Sequence, residues 1–279
     1  MRRARSRSWY AAIASIVFIM GTNVHDLLRY AGLRRFFQSW VVNGLANILQ
    51  VGLCLFGVSV AQRIGPQRVF RELGLRAPAG RALAFSFIAS LPMLLAFALT
   101  SHINPKMSAL SVGVGCLIAP FAEEVLFRGY MFRQLYRRAR WGFWLSVTIP
   151  SVLFAFGHVY QADGLLELMG IFAVTGLGSV VACWVFMRWQ DNLWTVIGLH
   201  SLMNLWWEIF AVDGTALGGW LANAARLLTV LIAIALTIYK DRIWKPLSIE
   251  AQNVIETNHD EMTKGDSGKP LRIAKPSFA

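Results

Sequence analysis

Long apolar stretches separated by short polar connections dominate this chain of 279 residues. Most of them approach the roughly 20 residues that a helix needs to cross the hydrocarbon core of a bilayer. Only 15% of the residues are charged, whereas a soluble domain has about 25%. The sequence therefore predicts an all-α, polytopic membrane protein. Its roughly eight transmembrane helices are expected near residues 9–24, 39–61, 82–101, 108–138, 142–159, 165–188, 192–211 and 220–240.

The first apolar stretch follows a basic sequence, MRRARSRSWY, which is also typical of a signal peptide. No small-x-small cleavage site follows Met20, so a retained first span is favoured over a cleaved leader. Residues 25–38 mix apolar and basic residues and are expected to lie at the membrane interface.

Basic residues predict the orientation of the spans. With eight spans, four basic clusters fall on one side of the membrane, which the positive-inside rule assigns to the cytoplasm. Both termini are then cytoplasmic. If the source is prokaryotic, the membrane is expected to be the cell membrane. The same rule explains the net charge of +12 without a nucleic-acid partner. The clusters are at residues 2–7, 63–81, 133–140 and 240–245. The connections on the opposite side are expected to hold Asp163, Glu208 and Asp213. Three residues depart from the rule: Arg29, Arg34 and Arg35.

Two regions differ in composition. Residues 1–245 form the multi-span membrane domain, and residues 246–279 are polar, without an apolar period, and are expected to be a disordered cytoplasmic tail. Cys54, Cys116 and Cys183 lie within apolar stretches and lack the spacing of metal ligands, which predicts buried structural thiols.

Charged residues within the fourth apolar stretch require an explanation, because each costs about 2.5–3.5 kcal/mol at the centre of a membrane helix. Glu124 and Arg128 are four residues apart and can pair on one helix face. That pair by itself is most simply structural. Glu123 points about 100° away from Glu124 and has no partner in its own helix.

Two histidines also lie within predicted spans. His158 follows Phe154 by one helical turn, and Asn204 follows His200 by one turn. Glu123 and His158 each lie about 25 Å from the turn that joins the fourth and fifth helices, so they are level in an antiparallel hairpin. His200 reaches the same height if this arginine-rich hairpin projects about 10 Å beyond the membrane surface. The helices are therefore expected to enclose an intramembrane cavity lined by these side chains.

Hydrolysis is the chemistry that this set supports. A carboxylate in a low-dielectric cavity can act as general base toward water, with a histidine that holds the water and shares the proton. A second histidine and an asparagine amide can donate to a developing oxyanion, where one well-placed donor contributes about 3–4 kcal/mol. No serine or cysteine nucleophile is required.

Four alternatives remain open from the residues alone. His200 and Asn204 could simply connect helices by hydrogen bonds. The polar set could ligate zinc, although HExxH is absent and asparagine is a poor zinc ligand. It could relay protons in a transporter, although no internal repeat is visible. It could also bind a toxin or partner helix without catalysis.

The motifs resemble those of the CPBP family, the CAAX protease and bacteriocin-processing (Abi) membrane proteins, which includes the type II CAAX prenyl endopeptidases. They occur here in the family's order as Glu123-Glu124-x-x-x-Arg128, Phe154-x-x-x-His158 and His200-x-x-x-Asn204, and Phe127-Arg128-Gly129 is also similar. The resemblance covers residues 70–210.

This resemblance implies a glutamic intramembrane endopeptidase that requires no cofactor. It implies that Glu123 and His158 activate water, that His200 and Asn204 bind the oxyanion, and that Glu124, Arg128 and Phe154 support them. The expected partners are the lipid bilayer and a peptide or protein substrate, membrane-anchored or prenylated. Family members also confer immunity or act as scaffolds, so a non-catalytic role stays open.

Overall fold

The computed structural model describes residues 6–212 and 217–244, and these residues form helices joined by short connections. No β-strand occurs in this part of the chain beyond an isolated bridge between Ile103 and Phe210. The predicted all-α fold is therefore confirmed. The helices are α1 (Arg7–Tyr30), α2 (Ser39–Gln62), α3 (Pro66–Glu72), α4 (Ala79–Thr100), α5 (Ala109–Ala139), α6 (Phe143–Phe156), α7 (Leu165–Arg188), α8 (Leu193–Ile209), α9 (Trp220–Ile238) and α10 (Lys240–Ile243), with short 3-10 turns at Leu33–Arg35 and Val159–Gln161.

Seven helices in the described part of the chain are long and apolar enough to cross a membrane: α1, α2, α4, α5, α6 with the turn that follows it, α7 and α9. The protein is thus an integral, multi-pass membrane protein. The prediction of eight spans is wrong by one, because the stretch 192–211 forms α8, which has only 17 residues.

The two ends of α8 are hydrogen-bonded beside the two ends of α4. The backbone N–H of Leu193 donates to the carbonyl of Gly74, at 3.2 Å, just before α4 begins. At the other end, the N–H of Ala211 donates to the carbonyl of His102, at 2.9 Å, just after α4 ends. The short helix α8 therefore runs parallel to α4 and accompanies it over its length.

The first span is longer than the sequence predicts. Helix α1 continues to Tyr30, beyond the predicted end at residue 24, so six of the fourteen residues of the predicted interfacial segment 25–38, among them His25, belong to this helix. Arg34 and Arg35 lie in the separate 3-10 turn. A helix of 24 residues is about 36 Å long, so this span can extend past the hydrocarbon core.

Helix α5 packs between α1 and α6 through aromatic rings. The ring of Phe127 on α5 lies 5.1 Å from that of Phe18 on α1 and 5.0 Å from that of Phe154 on α6, centroid to centroid, with edge-to-face geometry in both pairs. The Tyr130 hydroxyl donates to the carbonyl of Ile13, at 3.2 Å. These contacts enclose the middle of α5, which carries the charged motif.

An ion-pair cluster joins α3, the end of α5 and the turn between α7 and α8. Glu72 contacts Arg138 at 2.6 Å and Arg133 at 3.3 Å, and Asp191 contacts Arg133 at 3.1 Å and Arg137 at 3.0 Å. Burial alone would raise the pKa of Glu72, but the hydrogen bond from Arg138 and the charge of Arg133 outweigh it, and the pKa lies below its ordinary value.

The three cysteines are buried and free, as predicted. The chain divides into two compact units, residues 1–238 and 239–279. Of the second unit the structure describes only residues 239–244, which contain α10 and an ion pair between Lys240 and Asp241. The predicted disordered tail, residues 246–279, lies outside the described residues, and the predicted orientation of the termini stays a prediction.

Replacing Gly74 by alanine should destabilise the protein markedly. Gly74 has φ +80°, and a Cβ there would collide with the carbonyl oxygen of Asp191. The left-handed conformation alone costs about 1–2 kcal/mol, so we expect the melting temperature in detergent to fall by roughly 5 °C or more. Gly80→Ala is the control, because Gly80 is an exposed residue of α4 and a Cβ there meets nothing within 4 Å. Equal melting temperatures for the two variants would contradict this account.

Acid should destabilise the wild-type protein more than a Glu72→Gln variant. The lowered pKa means that the folded state keeps Glu72 ionised where the unfolded state protonates it. This contribution to stability is complete above about pH 4.3 and is lost as the pH falls through the folded pKa. Thermal melts from about pH 6 down to about pH 3 should show a smaller fall for the variant. Parallel curves would show that the cluster does not stabilise the fold.

Candidate active site

A buried acid, a buried base and a histidine meet where α5 and α8 cross. The side chains of Glu124 and Arg128 are each 2% exposed, and Nη1 of Arg128 lies 3.0 Å from Oε1 of Glu124. The same oxygen lies 2.9 Å from Nδ1 of His200. Because an ionised carboxylate only accepts hydrogen bonds, His200 carries a proton on Nδ1. Glu124 thereby fixes the orientation of the His200 ring and leaves its Nε2 atom for other contacts.

Glu123 lies beside this group and has a different environment. Its Oε2 atom is 3.8 Å from Nε2 of His200, and its side chain is 30% exposed. Within the described residues its carboxylate accepts no hydrogen bond, in contrast to that of Glu124. Of the two adjacent glutamates, one is therefore held by the protein and the other remains available to a water or a substrate.

His158 lies just beyond the end of α6 and is oriented by the backbone of that helix. Its Nδ1 atom is 2.8 Å from the carbonyl oxygen of Phe154. A carbonyl only accepts, so Nδ1 is the donor, and in the neutral ring Nε2 keeps its lone pair. A histidine in this tautomer can accept a proton through Nε2.

The ring of Phe154 fills the space between the polar side chains. Its centroid lies 4.5 Å from that of His158 and 6.3 Å from that of His200, and the guanidinium carbon of Arg128 lies 4.6 Å from it. Phe154 thus packs against both histidines and receives a cation–π contact from the buried arginine.

The register of α5 against α6 gives the relative height of Glu123 and His158. The rings of Phe127 and Phe154 are in contact across this antiparallel pair. Glu123 is four residues before Phe127, and His158 is four residues after Phe154. Counting about one turn from this contact, toward the start of α5 and past the end of α6, predicts that Glu123 and His158 lie at similar heights.

Asn204 contacts the backbone of α5. Its Nδ2 atom donates to the carbonyl of Gly115, at 3.3 Å. The first part of α5 is wound with i→i+5 hydrogen bonds, and the N–H of Ala119 donates to Val114. The next donor in this pattern would be Pro120, which has no N–H. Asn204 thus satisfies a carbonyl that the proline leaves without a partner, and its second amide hydrogen remains available.

A further polar contact occurs one turn beyond Asn204. The hydroxyl of Ser111 on α5 donates to Oε1 of Glu208, at 2.6 Å. The assignment of Glu208 to a connection is wrong, because it lies within α8. Glu208 follows Asn204 by four residues, and this helical spacing would have indicated that both lie on one face of the same helix. Three successive turns of α8 are therefore hydrogen-bonded to α5.

Within residues 6–212 and 217–244, no three histidine, cysteine, aspartate or glutamate side chains are grouped so that they could hold a metal ion.

The fold is that of a multi-pass membrane protein, and the part of it that carries the motifs is similar to a family of CAAX proteases. The model of the Rce1-like type II CAAX prenyl endopeptidase family matches residues 105–206. This segment begins just before α5, ends within α8 and includes every motif named above. The resemblance to the CPBP family is confirmed over this segment.

Sequence relatives extend this result only a little. An uncharacterized 24.3 kDa protein of Escherichia coli is 41% identical over 64 residues, which are 23% of this chain. The chain matches only 29% of the length of that relative. No solved structure matches the chain.

Replacing Glu124 by glutamine should destabilise the protein far more than removing a surface acid. The change leaves Arg128 buried without its counter-charge, which typically costs about 3–5 kcal/mol, so we expect a melting temperature lower by roughly 10 °C. Asp26→Asn is the control, because Asp26 pairs with Arg29 where both side chains are about half exposed, 54% and 51%. That change should cost less than about 1 kcal/mol. A smaller effect at Glu124 than at Asp26 would contradict the structural role of the buried pair.

Proposed function

We propose that this protein is a glutamic intramembrane endopeptidase, which hydrolyses a peptide bond with a water activated by Glu123 and His158. The observation that carries the proposal is the contrast between two adjacent glutamates. Glu124 is buried and bound by Arg128 and His200, whereas Glu123 is partly open and accepts no hydrogen bond from the described residues. Matching of the site helices to a prenyl endopeptidase family supports the same class of reaction.

The chemical step begins with a water held between Glu123 and His158. The Glu123 carboxylate takes a proton from the water, and at the same time the water oxygen forms a bond to the carbonyl carbon of the substrate. Nε2 of His158 accepts the second hydrogen bond of that water. When the tetrahedral intermediate collapses, the C–N bond breaks and the proton held by Glu123 passes to the leaving amine. The remaining proton of the attacking water passes through Nε2 of His158 to the amine. The products are therefore a carboxylate and a protonated amine, and the enzyme returns to its initial state.

The developing oxyanion needs hydrogen-bond donors, and His200 and Asn204 can supply them. Because Nδ1 of His200 is engaged by Glu124, only an imidazolium can also donate through Nε2. The charges of the group then balance: Arg128 and His200 are positive, and Glu123 and Glu124 are negative. Charge balance favours this state in a low-dielectric interior. Glu124, Arg128 and Phe154 act in this scheme by fixing the His200 and His158 rings.

Substrates are proposed to be peptides or proteins that are membrane-anchored or prenylated, because the matched family is one of prenyl endopeptidases. We propose that they reach the site from the cytoplasmic side, to which the positive-inside rule assigns the basic clusters. A non-catalytic immunity or scaffold protein is the alternative that leaves the same helices in place.

Replacing Glu123 by glutamine should abolish cleavage while the fold remains intact. The amide cannot accept the proton of the water, so we expect turnover to fall at least about 100-fold with an unchanged melting temperature. The measurement is quantitative proteomics of new peptide termini in membranes that contain the wild-type or the variant protein. Asp163→Asn, in the exposed connection between α6 and α7, is the matched control and should cleave normally.

Other outcomes point to the alternatives. Undiminished turnover in the Glu123→Gln variant would rule the mechanism out. Activity that chelators remove and zinc restores would indicate a metalloprotease. Full biological activity of Glu123→Gln and His158→Ala variants, without new peptide termini, would indicate a binding protein.

A further inference from the structure

Helix α2 contains two buried carboxamides that the proposed reaction does not use. Asn47 is 3% exposed and Gln50 is 4% exposed, and they lie about one turn apart on a mainly apolar helix. Neither side chain makes a hydrogen bond to any of the described residues. By contrast, the buried amide of Asn192 donates to the carbonyl of Pro78, at 3.0 Å. Unpaired amides in an apolar interior are unfavourable, so these two require an explanation.

The amide atoms of Asn47 and Gln50 are not sealed within the protein. Some buried polar atoms of the described residues, such as Oε2 of Glu124 and Nε of Arg128, have neither a hydrogen-bond partner nor accessible surface. No atom of Asn47 or Gln50 is among them. The amide atoms of these two residues therefore keep a small accessible surface, through which a hydrogen-bond partner can reach them.

Neighbouring contacts place Gln50 at the height of the proposed catalytic carboxylate. A Cβ on Gly21 of α1 would lie 3.6 Å from Cγ of Gln50 and 3.1 Å from Cδ1 of Leu126. Leu126 is three residues after Glu123 on α5, so its side chain lies on the same part of the helix surface. Helix side chains lean toward the N-terminus of their helix, which brings the Leu126 methyl groups close to the level of Glu123.

The register of α2 against α5 gives the same result. Gly44 faces Val114 near the start of both helices, and Gly57 faces Tyr130 further along, so the two helices run parallel. Gln50 lies between these contacts, level with residues of about 120–123 on α5, and Asn47 lies about one turn before it.

Helix α1 completes this side of the site. It runs antiparallel to α5, with Phe18 against Phe127 and Gly21 against Leu126. His25 is one turn beyond Gly21 on the same face, and it is close enough to Glu123 for an electrostatic interaction. The hairpin of α1 and α2 therefore faces Glu123, on a different side of α5 from α6 and α8.

We propose that Asn47 and Gln50 form a subsite that hydrogen-bonds the main chain of an extended substrate peptide beside Glu123. This inference rests on the proposed peptidase function. A carboxamide presents a donor and an acceptor together, which is the complement of a peptide group. An extended peptide within a membrane protein lacks water partners for its N–H and C=O groups, so the protein must provide them. Two buried, unpartnered carboxamides at the level of the reacting carboxylate meet this need.

The test measures binding separately from cleavage, in the full-length Glu123→Gln protein in detergent. The probe is a farnesylated, fluorophore-labelled decapeptide, used with an analogue whose alternate backbone nitrogens are methylated. Binding is followed by fluorescence anisotropy. Adding Asn47→Leu and Gln50→Met to the Glu123→Gln protein removes the amides at similar volume. We expect the unmethylated probe to bind at least tenfold more weakly to this triple variant, and the methylated analogue to bind both proteins equally weakly.

The controls separate recognition from stability. Asn43→Leu on the same helix removes an amide that already bonds Arg34, at 3.3 Å, and should leave probe binding unchanged. Replacing unpartnered amides by apolar side chains should keep or raise the melting temperature, whereas a hidden structural role would lower it.

Three results would overturn the subsite. The two proteins could bind the unmethylated probe with equal affinity. The added substitutions could weaken binding of the methylated analogue as much as that of the unmethylated probe, or the Glu123→Gln protein could fail to bind the probe at all. If the wild-type protein leaves the probe intact while the tenfold contrast in binding persists, the peptidase proposal fails for this substrate and the subsite stands.

Discussion

The buried contact of Glu124 with Arg128 and His200 is the constraint on which the site depends. An isolated charge cannot be kept in this apolar surrounding, so Arg128 and Glu124 must face each other within α5. The second partner of Glu124 comes from α8, and this contact fixes where the two helices cross. Because Glu123 directly precedes Glu124 in the chain, it then lies next to Nε2 of His200. The geometry of the candidate site is thus a consequence of charge burial.

Much of this fold could be predicted because a membrane restricts the choices. The apolar stretches predicted most helix ends to within about three residues, and the four-residue spacing of Glu124 and Arg128 predicted their pairing. The count of spans failed at α8, where a short helix carries His200, Asn204 and Glu208 and its ends are held by hydrogen bonds. Length and hydropathy do not encode such support from neighbouring chain segments.

Other features depend on contacts that the sequence pattern does not contain. The partner of Asn204 follows from i→i+5 winding combined with Pro120, and neither winding nor partner is visible in a hydropathy profile. The predicted end of the first span, at residue 24, is too early because the basic residues after it obscure the continuation of α1 through His25. Asn47 and Gln50 could have been found, since polar residues inside an apolar span call for the same scrutiny as charged ones.

The hydrogen bonds at three successive turns of α8 have a mechanical consequence. Sliding this helix along α5 by one turn, about 5.4 Å, would break the contacts of His200, Asn204 and Glu208 at the same time. Helices α5 and α8 are therefore expected to move together as one rigid unit. In a thicker or thinner bilayer, helices outside this pair can tilt to accommodate the difference. The distances from α8 to α5 at the candidate site are then kept whatever the lipid composition.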